Sequence, residues 1–120
     1  MHELAIAMEI VEQAVRIAAE NHATRIDTIE VEIGVLRQIV PEALELSFRA
    51  AAEGTTAEKA ELKVAEERVV AVCNRCECMF LPAIDDFTCP QCKAADARVV
   101  AGNEIILKSL VCQADEGIAV

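Results

Sequence analysis

Two cysteine pairs, Cys73-Asn-Arg-Cys76 and Cys89-Pro-Gln-Cys92, define the chemistry most plainly open to this 120-residue sequence. Each two-residue gap lets one tight turn aim two thiolates at a single ion. Four soft sulfur ligands suit the tetrahedral preference of zinc. Twelve residues separate the pairs, a slightly short version of the zinc-ribbon spacing. Four thiolates fill the coordination sphere and leave no position for a reacting water, so such a zinc is structural. The competing chemistry is a thiol–disulfide oxidoreductase, which needs at least one pair free of metal. Two pairs in a segment with little apolar mass favour the metal. Cys78 lies five residues after Cys73, which offers a second register for the first pair, although the shorter spacing suits zinc better. Cys112 reads as a half-buried strand cysteine.

A second candidate stands at Met1-His2-Glu3. An α-amine titrates near pH 7.7–8.0, so part of it is neutral and able to donate at physiological pH. The amine, the backbone nitrogen of His2 and its imidazole close adjacent chelate rings once the amide loses its proton. Ni(II) and Cu(II) drive that loss, and their square-planar preference fits an all-nitrogen set. The plainer alternative makes His2 an ordinary exposed residue and Glu3 a favourable acid in a helix's first turn. From the residues alone the plainer alternative is the stronger of the two. His22, the other histidine, is expected at a helix C-terminus, where it meets the dipole.

The elements that must position these groups follow from periodicity. From Glu3 to Asn21, Leu4, Met8, Val11, Val15 and Ala18, with Ile10, Ala14 and Ile17, form a wide apolar helix face opposite Glu9, Glu12, Gln13, Arg16 and Glu20. From Ile29 to Leu36 the period is two, which predicts a half-buried strand. Pro41 and Glu42 open a second helix with Leu44, Phe48 and Ala51 on one face and Gly54 as its stop. Ala60–Val64 alternates again. Short strand-like pieces at Val69–Val72 and Arg98–Ala101 flank the cysteines, and Glu104–Val111 reads as a last strand. The expected fold is α+β, a small mixed sheet with two helices plus an inserted zinc-ribbon lobe. Residues 1–68 form the first domain, completed by a returning strand at 103–112. The ribbon takes 69–102, and 113–120 is a tail.

Composition narrows the partners. Asp and Glu number 21 against 11 Lys and Arg, a net charge of −10. Such a surface repels phosphate backbones, and residues 73–92 carry Arg75 against Glu77, Asp85 and Asp86, so nucleic acid is excluded as a partner. The acidity suits cations or basic partners, and equally well serves solubility alone. With no Trp or Tyr and three Phe, the core is aliphatic. No apolar run approaches the roughly 20 residues of a membrane span, and the opening residues lack a secretory pattern. Six cysteines in that setting point to reduced thiols and a cytoplasmic protein.

With these residues assembled, the chain resembles the HypA/HybF family of hydrogenase nickel-incorporation proteins. The resemblance rests on Met1-His2-Glu3 ahead of an apolar helix, Ile29-Glu-Val-Glu-Ile-Gly34, Val40-Pro-Glu-Ala-Leu44 and Gly54-Thr55. It continues through Ala60-Glu-Leu-Lys-Val64, both cysteine pairs with Phe80 between them, and Gly102-Asn103-Glu104. It implies a metallochaperone, not an enzyme. Ni(II) would bind through the Met1 amine and His2, with Glu3 giving backbone and outer contacts. Zn(II) would bind Cys73, Cys76, Cys89 and Cys92. The implied partners are a nickel-handling GTPase and the large subunit of nickel–iron hydrogenase, with urease served by some members. Cys78 departs from the family pattern, in which a glycine is common after the first cysteine pair. The alternative function is a zinc-ribbon adaptor that binds other proteins and no nickel.

Overall fold

Ile6, Ala7, Ile10, Val11, Ala14 and Ala18 recur at helical spacing, and the chain buries all six on one face of helix α1 (His2–Glu20). The computed structural model describes residues 2–114. Strand β1 (Ala23–Gly34), a 3₁₀ turn (Val35–Arg37) and helix α2 (Pro41–Ala52) follow. Then come β2 (Glu61–Glu67), β3 (Val70–Cys73), β4 (Met79–Phe80), β5 (Ala97–Ala101) and β6 (Ile105–Ala114). The fold is α+β, two helices with two small sheets. The described residues divide into two compact units, one of 2–31, 39–64 and 107–114, the other of 32–38 and 65–106.

In the first unit α1 packs against α2, and the core is made of Ile6, Ile10, Ile26, Ile29, Leu44 and Phe48. Each large side chain here adds about 1.5–3 kcal/mol by leaving water. The expected helix face needs correction at its outer end, because Leu4 and Met8 are exposed and Ile6 and Ala7 take the central positions. The face of α2 likewise runs through Leu44, Phe48 and Ala52, one residue past the expected Ala51. Pro41 starts α2 at a position where no N–H is needed, and Gly54, at φ +79°, lies past its end. His22 lies beyond α1, at φ +61°, as a left-handed residue ending the helix.

Strand β1 stands between β2 and β6 in a three-stranded sheet. Ile29, Val31 and Ile33 are buried on alternate positions as the pattern predicts. The strand begins six residues earlier than the alternation, at Ala23. Ile26, whose N–H donates to the Thr56 carbonyl, lies off the two-residue beat and hides that extension. Ser109 donates to the Glu30 carboxylate at 2.7 Å, and Gln113 to Asp27 at 2.7 Å. Strand β6 runs to Ala114, into the expected tail, while residues 115–120 lie outside the described residues.

The second unit contains the sheet β4-β3-β5, antiparallel throughout, with Ala71 opposite Phe80 and Cys73 opposite Ala97. Strand β4, two residues long, has too little alternation to be read from sequence. A close backbone crossing joins residues 32–38 to the turn before β6. The Gly34 N–H donates to the Glu104 carbonyl at 2.8 Å, and the Leu36 N–H to the Gly102 carbonyl at 2.9 Å. A Cβ on Gly34 would lie 2.2 Å from the Gly102 carbonyl group. No helix among the described residues is long and apolar enough to cross a membrane.

Candidate metal centre

The two cysteine pairs fold into the same turn, written twice. In the first, the Cys73 N–H donates to the Cys78 carbonyl (2.9 Å) and the Glu77 N–H to the Cys73 carbonyl (3.0 Å). In the second, Cys89 donates to Ala94 (2.9 Å) and Lys93 to Cys89 (2.9 Å). The residue after the second cysteine is left-handed in both, Glu77 at φ +63° and Lys93 at φ +66°. The backbone position that favours glycine after the first pair is therefore that of Glu77. β3 delivers Cys73 to the site, and β5 braces the first turn. Arg98 donates to Asn74 at 2.6 Å, and the Asn74 side chain donates to Asp96 at 2.9 Å.

The turns bring Cys73, Cys76, Cys89 and Cys92 together, with all four sulfurs within 4.8 Å of one another. Cys73 and Cys92 are 3.5 Å apart, as are Cys76 and Cys89. A zinc–sulfur bond of about 2.3 Å gives a tetrahedron with edges of about 3.8 Å, so the cluster has the size a tetrahedral thiolate site requires. Cys73 and Cys89 are buried while Cys76 and Cys92 are exposed.

Backbone N–H groups aim at the sulfurs. The Cys76 amide, then that of Arg75 at 3.4 Å, hold the Cys73 thiol below its ordinary value. The Cys92 amide is the main cause that lowers Cys89 to about 6. At Cys76 the Cys78 amide pulls downward, but burial and the Cys89 and Cys73 sulfurs push it up to about 12. Cys92 is raised too, against the Ala94 amide, by the Cys73 sulfur and by burial. The backbone amides thus favour ionisation at Cys73 and Cys89 and leave Cys76 and Cys92 the harder pair to ionise, and a divalent cation bound by all four displaces whatever thiol protons remain.

Cys78 lies outside this set. Its thiol, half-buried, donates to the Met79 carbonyl at 3.5 Å, and the residue packs against the small core of Ala71, Cys73, Phe80 and Cys89. Cys112 sits on β6, its thiol raised by burial and by the Asp27 charge. It lines a cavity of about 420 Å³ with Ile17, Ala18 and Leu107.

Of the N-terminal candidates, Met1 lies outside the described residues. His2 is exposed and is the first residue of α1. Glu3 is 8% exposed, and its carboxylate accepts the Val40 N–H at 3.1 Å. Val40 precedes α2 with no side-chain cap of its own, so a carboxylate from α1 occupies the positive end of α2. The Val40 amide is the main reason the Glu3 carboxyl falls to about 2. Sequence reasoning missed this bond because it spans 37 residues. The repeated left-handed positions were open to discovery in the matching places of Glu77 and Lys93 within the two turns.

A model of the family described as hydrogenase/urease nickel incorporation, metallochaperone, HypA matches residues 1–112. The chain is 40% identical over 113 residues to the hydrogenase maturation factor HypA of Chlorobium limicola, covering 94% of this chain and 97% of that one. It is 33% identical over 115 residues to the HypA of Aquifex aeolicus, covering 96% and 100%. The solution structure of the Ni metallochaperone HypA from Helicobacter pylori superposes with a TM-score of 0.74 at 26% identity, covering 96% of this chain and 100% of that one.

Proposed function

This chain belongs to the HypA family of hydrogenase/urease nickel-incorporation metallochaperones, and from that premise we propose that it carries Ni(II) at its own N-terminus and holds structural Zn(II) at Cys73, Cys76, Cys89 and Cys92. Nickel is cargo. The Met1 amine, the His2 backbone nitrogen and the His2 imidazole bind it, with Glu3 supplying backbone and outer contacts. One observation carries this reading: His2 is exposed at the start of a helix whose next residue is pinned, through its buried carboxylate, to the Val40 amide. The first four N–H groups of a helix have no carbonyl partner within it. Giving up the His2 amide proton to nickel therefore breaks no helical hydrogen bond. An exposed site also lets the ion leave, as delivery requires.

The zinc, when bound, supplies the folding energy of its lobe, on the order of 10 kcal/mol. The four cysteines orient it and leave it no open position, so the lobe has no catalytic metal chemistry. The protein acts as a carrier in the cytoplasm, working with a nickel-handling GTPase and delivering to the large subunit of a nickel–iron hydrogenase.

Calorimetry with Ni(II) on zinc-loaded protein tests the proposal, with an unmodified N-terminus compared with His2→Ala and with a chain extended before Met1. The expected result is micromolar affinity or better, near −8 kcal/mol, in the native chain and loss in both variants. Equal binding by all three contradicts the N-terminal site. Zinc without nickel binding in any of them favours the adaptor.

A further inference from the structure

Leu4 and Met8, one helical turn apart on α1, are 48% and 56% exposed, and Leu46 on α2 is 73% exposed. Scattered exposed leucines are ordinary, but these border a groove. Leu4, Met8, Val11 and Glu12 line one side and Ala50 and Ala51 the other, enclosing about 380 Å³. Leu46 stands one turn before Ala50 and extends the apolar surface along α2. The alanine side is low enough for another backbone to approach, and Met8 is unbranched and adapts to varied shapes.

Glu12 lines the groove, and the charges on its two helices are predominantly of one sign. Across residues 2–12 and 41–52 the exposed acids are Glu9, Glu12, Glu42 and Glu45, against the single base Arg49, while Glu3 is buried against the Val40 amide. Arg49 is bound to Glu45 at 2.9 Å. A second copy of the chain would bring the same acids to face these, and like charges at a contact are unfavourable.

We propose that this groove docks an amphipathic helix of a partner protein whose apolar stripe is flanked by lysine and arginine. Apolar residues at helical spacing enter between Met8 and Ala50, as in other helix-in-groove contacts. The basic flanks meet the acids, which speeds encounter and selects against acidic helices. Under the nickel-carrier reading the bound helix lies one turn from His2, but docking itself does not depend on nickel.

The test uses the full zinc-loaded chain and fluorescently labelled helical peptides of about 15 residues, read by anisotropy. One peptide has a leucine stripe with lysine flanks, one the same stripe with glutamate flanks, and one the lysine composition with its periodicity scrambled. The expected result is binding of the first alone, weakened by salt and at least about tenfold by Met8→Asp or Leu46→Asp. Leu81→Asp, which alters an exposed apolar residue in the other unit, should leave it unchanged. His2→Ala should abolish nickel binding and keep peptide binding, so the two readings fail separately. Equal binding of the glutamate-flanked or scrambled peptide overturns the proposal, as does indifference to both groove variants. Concentration-dependent self-association lost in Leu46→Asp also overturns it, because the occupant is then a second copy.

Discussion

The Glu3 carboxylate is the most specific single contact near the candidate nickel site. Its pKa is held at about 2 against an ordinary 4.5, first by the Val40 amide. The folded chain keeps this charge where the unfolded chain has begun to lose it. The stability this contact contributes is therefore complete above pH 4.5 and is lost as pH falls from there through 2. Followed by NMR, the Val40 amide should titrate with a midpoint near 2 and stop responding in Glu3→Gln. A midpoint near 4.5 would remove the contact from the account. The left-handed residues Glu77 and Lys93 supply a second prediction. Lys93→Gly should stabilise the lobe by about 0.5–1 kcal/mol, and Lys93→Val destabilise it by about 1–2 kcal/mol, read as the chelator concentration needed to strip the zinc. At this scale the cysteine set was legible, because a CxxC turn is local and its spacing alone decides where two sulfurs point. The Glu3–Val40 bond was not, since nothing local to either residue announces it.

Among the elements, the strong periodicities located both helices and the last strand. Boundaries moved where tertiary contacts outweighed pattern. Ile26 bonds to the Thr56 carbonyl and lengthens β1 beyond its alternating stretch. The exposed Leu4 and Met8 show how a wide apolar helix face overstates what is buried. The alternation placed Gly34 inside a strand, and nothing in the sequence brought it to Gly102. Their backbones cross so closely that Gly34→Ala should cost about 2–3 kcal/mol in urea unfolding. Gly54→Ala meets no atom and strains only φ, so about 1 kcal/mol is expected. Equal costs at the two positions would mean that the crossing is not a tight contact. For the cysteine turns, Cys89→Ser should drop zinc from one ion per chain to near none. Ribbon amides should then lose their dispersion while those of α1 and α2 keep theirs. Collapse of both sets would show that the lobe does not fold around its own ion.

For the whole molecule, a charge of −10 leaves few cationic surfaces, and the acids along α1 and α2 extend that character beside the N-terminus. Composition revealed the sign of the charge but not its placement, which needed two helices brought side by side. Carriage of nickel at the chain start is the central claim, and its rival within the molecule is the sulfur-rich cysteine cluster. Nickel K-edge X-ray absorption on the zinc-loaded chain with one equivalent of Ni(II) separates them. The account predicts a first shell of nitrogen and oxygen only, with an imidazole signature that disappears in His2→Ala. Sulfur in the nickel shell, unchanged by His2→Ala, would contradict it.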